Sequence, residues 1–118
     1  MIDLYGIPNC DMVKKARTWL EARGLEYAFH DYKKEGADPE KLREWVTAES
    51  WETVLNRRGT TFRKLPDAQK VDLDAKKAVK LMQANPSTIK RPMVEHAGGL
   101  LVGFDPEVWA EKLGKATP

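Results

Sequence analysis

At 118 residues the chain has the length of one domain, which buries roughly two-thirds of the surface its unfolded form exposes. Its 20 Lys and Arg are nearly matched by 18 Asp and Glu, and a net charge of +2 is too weak a field to carry nucleic-acid binding on its own. One cysteine excludes an internal disulfide, and the sequence shows neither a secretory leader nor an apolar run of membrane-spanning length, so a cytoplasmic, soluble, monomeric protein with a free thiol is expected.

Ile2 to Tyr5, bounded by Gly6 and Pro8, reads as a buried strand. Asn9 is a good N-cap residue, so a helix is expected to begin at or near Cys10. Met12, Val13, Ala16, Trp19 and Leu20 supply its apolar face, and Gly24 its stop. Leu25, Tyr27 and Phe29 alternate with Glu26, Ala28 and His30 at the period of a second strand. Strand, helix and strand in that order imply a right-handed βαβ unit.

Lys33-Lys34-Glu35-Gly36 reads as a polar turn, and Asp38-Pro39 as a cap and first-turn proline for a helix carrying Leu42, Trp45 and Val46. Ser50 caps a short helix with Trp51, Val54 and Leu55 that Gly59 ends, and Thr60 to Pro66 reads as irregular loop. Asp72 is the expected cap of a longer helix with Ala75, Ala78, Val79 and Met82 on one face, closed by Asn85-Pro86 and returning to the sheet. Met93 to His96, Gly98-Gly99 and Leu100 to Gly103 form a hairpin pattern, and Asp105-Pro106 opens a last helix with Val108, Trp109 and Leu113. Lys115 to Pro118 reads as a loose tail. The order is that of a thioredoxin-like α/β sandwich with a mixed four-stranded sheet, its core over about 1–32 and 72–118 and a helical insertion over about 33–71.

Cys10 lies at the strand-to-helix junction, where unpaired backbone N–H groups and the helix dipole favour a thiolate, the reactive form of cysteine. Asp11 opposes this by its charge. Val13 stands where a dithiol oxidoreductase has its second cysteine, so no internal thiol can resolve a mixed disulfide on Cys10. The second thiol must come from solution, and glutathione is the expected donor. Its carboxylates need basic partners, available as Arg57, Arg58 and Arg91. Arg91 precedes Pro92, whose place at a strand start suggests a cis bond, and in thioredoxin-like folds such a loop lies against the active cysteine. His30 and His96 lack zinc-site spacing and read as strand residues, so no metal is expected, and Trp19, Trp45, Trp51 and Trp109 read as core. Paired lysines at 14–15, 33–34 and 76–77 read as solvated surface.

Tyr5-Gly6-Ile7-Pro8-Asn9-Cys10 with Lys15-Ala16 and Trp19-Leu20, Asn56-Arg57-Arg58-Gly59-Thr60 with Phe62-Arg63-Lys64-Leu65, Ile89-Lys90-Arg91-Pro92-Met93-Val94 and Val102-Gly103-Phe104 together resemble the ArsC/Spx/YffB family, above all its YffB-like branch. The resemblance implies a cysteine nucleophile at Cys10, an arginine before the cis-proline at Arg91, and a second arginine at Arg57 or Arg58, with Asn9 and Pro92 beside the substrate. It implies a glutathione-dependent thiol or disulfide reductase with no bound cofactor. The partners it implies are glutathione or glutaredoxin and a small-molecule or protein substrate. Arsenate reduction is the alternative chemistry, although the third anion-binding arginine of the family's arsenate reductases is absent from Gly103-Phe104-Asp105-Pro106. A second alternative is a non-catalytic regulator that docks on RNA polymerase like Spx, whose usual Cys-x-x-Cys switch Val13 removes.

Overall fold

The computed structural model describes residues 2–113, and the tail read over Lys115 to Pro118 lies outside them. Strands β1 (Ile2–Gly6), β2 (Tyr27–Asp31), β3 (Met93–His96) and β4 (Gly99–Val102) form a sheet in the order β2-β1-β3-β4. β1 pairs parallel with β2 and antiparallel with β3, and β3 pairs antiparallel with β4, the mixed pattern of a thioredoxin-like fold. The helices are α1 (Asp11–Ala22), α2 (Tyr32–Glu35), α3 (Pro39–Glu49), α4 (Trp51–Val54), α5 (Thr60–Lys64), α6 (Ala75–Ala84) and α7 (Pro106–Lys112). No helix among the described residues is long and apolar enough to cross a membrane.

Two compact units result, one from Met1–Asp31 with Arg91–Pro118 and one from Tyr32–Lys90. In the first, strand register aligns Phe29, Leu4, Val94 and Leu101 as one row across the sheet. Side chains of a strand alternate between faces, so this row meets Val13, Ala16 and Leu20 of α1 and Trp109 of α7, with Leu113, in one core. The neighbouring row carries polar contacts instead: Tyr5 stacks on His30 at 4.5 Å between centroids, His30 Nε2 lies 3.0 Å from Asp3 Oδ1, and Tyr5 donates to Glu95 at 3.0 Å. His30 is thus a member of a cross-strand cluster rather than an isolated strand residue.

α1 ends in a Schellman closure: the Gly24 N–H donates to the Glu21 carbonyl and the Leu25 N–H to that of Leu20, with Gly24 at φ 69. That closure consumes Leu25, so β2 starts at Tyr27 rather than at Leu25.

In the second unit α6 packs on α3 and α4, and Trp45, Val46, Ala78, Val79 and Met82 are buried. α6 is therefore a member of the helical unit. Its cap is Asp74, whose carboxylate accepts the Lys77 N–H at 2.8 Å, and not Asp72, which occupies a left-handed turn at φ 51. Thr60–Lys64 is helical and buries Phe62, although Gly59 offers no capping side chain. Tyr32–Glu35 forms a single helical turn closed by the Gly36 N–H on the Tyr32 carbonyl, where sequence alone suggests a polar turn. Asp38 and Ser50 cap α3 and α4 as the sequence predicts, but α4 stops at Val54, where Leu55 turns extended and bridges Ile89. Trp45 and Trp109 are core residues; Trp19 and Trp51 are half-buried, under Arg23 and Arg57 respectively.

Candidate active site

Cys10 is held by a turn that joins β1 to α1. Its N–H donates to the Ile7 carbonyl at 3.1 Å, and its own carbonyl accepts the Lys14 N–H at 2.9 Å as the first bond of the helix. Cys10, extended at φ −90 and ψ 127, is therefore the N-cap, and exposed Asn9 belongs to the turn before it. The cap position expected for Asn9 shifts by one residue because the Ile7–Cys10 turn takes up Asn9. Sγ accepts no capping bond, and the half-buried side chain rests on the core built by Leu4, Val13 and Ala16. A free thiol thus stands just ahead of the first turn of α1, where backbone N–H groups have no helical acceptor.

Close approach of α1 to β1 depends on Gly6. A Cβ on Gly6 would lie 2.7 Å from Cγ2 of Val13, inside any normal carbon contact. Glycine there lets the helix sit directly against the strand end, which fixes where the Cys10 loop emerges.

The Arg91-Pro92 bond is cis. Tyr5 is opposite Met93 in the antiparallel register, so the chain leaves β1 toward Cys10 at the same sheet end at which Arg91-Pro92 enters β3. Pro92 is buried and Arg91 half-buried. A third loop joins them: the Gly103 N–H donates to the Pro92 carbonyl at 2.8 Å, and the Gly103 carbonyl accepts the Trp109 indole N–H at 3.1 Å. Gly103 has φ 76, a conformation side chains other than glycine rarely adopt, so this double link requires glycine. Sequence reasoning gave Gly103 no role of its own; its place between a strand end and the Asp105-Pro106 cap is the signal that marks it.

Beside this loop Phe104 meets Trp109 edge-on at 4.9 Å between centroids, and Trp109 meets Trp19 at 5.7 Å. Asp105 is committed to α7, its carboxylate accepting the N–H groups of Glu107 and Val108 at 3.1 and 3.4 Å. The hairpin end carries His96, whose Nδ1 accepts the Gly98 N–H at 3.1 Å; burial, with Lys112 adding, lowers its pKa below the ordinary 6.5.

Arg57 and Arg58 belong to the second unit. Both are exposed; the Arg57 guanidinium lies 5.4 Å from the centroid of the Trp51 ring, and the Arg58 N–H donates to Asn56 Oδ1 at 3.2 Å. Among the described residues no group of three or more His, Cys, Asp or Glu is arranged to hold a metal ion.

Against known proteins, the model of the ArsC family matches residues 5–112. The chain belongs to the ArsC family. The solved structure of the YffB protein is 57% identical, with TM-score 0.93, covering 96% of this ArsC-family chain and 99% of its own. An arsenate reductase (ArsC) related protein from Brucella melitensis is 52% identical with TM-score 0.74, covering 93% of this chain and 92% of its own. The global transcriptional regulator Spx of Listeria innocua is 30% identical over 110 residues, 89% of this chain and 81% of its own. The family therefore spans both reductase-related proteins and regulators.

Proposed function

We propose that this ArsC-family chain is a glutathione-dependent thiol or disulfide reductase acting through Cys10. The observation that carries the reading is a lone, accessible thiol at the N-cap of α1, on a loop leaving the same sheet end at which the Arg91-Pro92 segment enters. The Cys10 thiolate attacks the glutathionyl sulfur of a mixed disulfide; a Cys10–glutathione bond forms, the substrate S–S bond breaks, and the substrate leaves as thiolate. A second glutathione thiolate then attacks the glutathionyl sulfur of that bond; the S–S bond of oxidised glutathione forms, the Cys10–glutathione bond breaks, and Cys10 leaves as thiolate. Each cycle consumes the substrate's mixed disulfide and forms one molecule of oxidised glutathione: the substrate sulfur is reduced to thiolate, one incoming glutathione thiol is oxidised, and the glutathionyl unit delivered by the substrate stays at the disulfide level. Arg91 serves the thiolate and an anionic group of glutathione, with Arg57 or Arg58 as a further carboxylate anchor and Asn9 and Pro92 bordering the substrate. The site is read as part of a cytoplasmic protein that uses no bound cofactor.

The test is mass spectrometry after incubation with oxidised glutathione, paired with turnover of a glutathionylated substrate. The expected result is one glutathionyl adduct, reversed by reduced glutathione and absent from Cys10→Ser, with turnover lost in that variant. A parent protein that takes up no adduct and turns over no substrate refutes the reading. Offering arsenate with glutathione separates the other chemistry: Asp105 is engaged at the α7 cap and Phe104 stands beside it, which disfavours a doubly charged oxyanion there.

The likeness to Spx supports a second reading, docking on RNA polymerase without catalysis. Under it, polymerase is retained equally by the parent and by Cys10→Ser, and neither turns over a disulfide.

A further inference from the structure

α3 and α6 pack against each other, and between them runs a groove of about 430 Å³ whose lining includes Arg43, Val46, Thr47, Lys76, Val79 and Lys80. Next to it on α6, across the shared Lys80, a second hollow of about 320 Å³ is lined by Lys77, Lys80, Leu81 and Val71, the last 56% exposed. Basic and acidic residues are nearly balanced over the whole chain, yet the charged side chains lining these two hollows are all basic and none is acidic. The carboxylate of Asp74, near the start of α6, is occupied by the Lys77 N–H.

We infer that this face of the helical unit is a docking surface for an acidic amphipathic segment of a partner protein. An apolar floor with a cationic rim matches a helix that presents leucine-like side chains along one stripe and glutamates beside it. The apolar side chains enter the α3–α6 groove at Val46 and Val79, while the carboxylates meet Arg43, Lys76 and Lys80. A purely polyanionic ligand leaves the apolar floor uncovered, and a neutral apolar helix leaves the cations unmatched, so both halves of the chemistry are needed. None of these residues belongs to the proposed thiol site, and Cys10→Ser is expected to bind as the parent does.

The test titrates the isotope-labelled full chain with a short helical peptide bearing a leucine stripe flanked by glutamates. The expected result is saturable amide shifts centred on Arg43, Thr47, Lys76 and Lys80, weakening as salt rises. The double reversal Lys76→Glu/Lys80→Glu should lower affinity about tenfold or more, with Lys80→Gln intermediate and the far-ultraviolet spectrum unchanged. The inference is overturned by shifts that do not saturate or centre elsewhere. It is overturned equally by a glutamate–alanine peptide, or a single-stranded oligonucleotide, binding as tightly as the leucine–glutamate probe. Unchanged affinity in the charge-reversed, folded protein has the same force.

Discussion

Gly6→Ala puts a methyl group where α1 crosses the end of β1, and the structure sets the scale of the response. The new Cβ would meet Val13 Cγ2 at 2.7 Å, about 1 Å short of a comfortable carbon contact, while the other nearby Val13 atoms lie at ordinary distances of 3.5 and 3.7 Å. Val13 cannot easily turn away: it is fully buried, and a β-branched residue in a helix has one strongly preferred χ1. The strain must go into displacement of α1. Overpacking of this kind costs about 1–3 kcal/mol, and the loss of glycine's freedom in the unfolded chain returns about 0.4–1 kcal/mol, since Gly6 does not occupy a left-handed conformation. The net expectation is a loss of about 1–2 kcal/mol. With an unfolding entropy of about 2.1 cal/mol/K per residue over 118 residues, that lowers Tm by about 4–8 °C. Urea melts of the parent, Gly6→Ala, Val13→Ala and the double variant provide the cycle. Val13→Ala removes the offending Cγ2 methyl, so the cost of Gly6→Ala in that background should fall to near zero, a coupling of about 1 kcal/mol or more. The steric argument fails if Gly6→Ala lies within about 0.5 kcal/mol of the parent, or costs as much beside Ala at 13 as beside Val13.

Two further outcomes follow from the same unit. Asp105→Ala removes the acceptor of two α7 N–H groups and should cost about 1 kcal/mol in a urea melt, with Asp105→Asn retaining most of it. His96 gives a pH signature: its folded pKa is below 6.5, so the unfolded state binds the proton more readily, and stability contributed by neutral His96 is present above 6.5 and lost as pH falls below it. Protonation also converts Nδ1 from acceptor to donor and removes the Gly98 bond. Melts between about pH 7 and pH 5 should show a shallower acid-side loss in His96→Gln than in the parent.

The elements legible in the sequence are those whose determinants are local. Asp38, Ser50 and Asp105 announce their helices by capping, and Gly24 its helix end. α5 carries no such mark, because Gly59 caps without a side chain, and its helicity comes with the burial of Phe62. Asp72 and Asp74 look alike as caps, and only the chain's path, left-handed at Asp72, separates them. At the candidate site the emergence of the Cys10 loop and Arg91-Pro92 at one sheet end follows once both strand order and direction are known, since β1 and β3 run antiparallel. The links through Gly103 are not, because they join residues brought together only by the completed sheet and by α7.

The sheet itself is assembled from both ends of the chain. β1 has β2 available as soon as α1 has turned back, but its other edge is filled by β3, and residues 7–92 intervene. During synthesis the stretch from Tyr32 to Lys90 emerges, and can condense around α3 and α6, before Val94 exists to pair with Leu4. Closing so long a loop costs little more than closing one of half the length, about 0.6 kcal/mol, because the entropic cost grows only with the logarithm of its length. Its toll is in time: one edge of the central strand waits through most of translation for a partner, and formation of the thiol's surroundings waits with it.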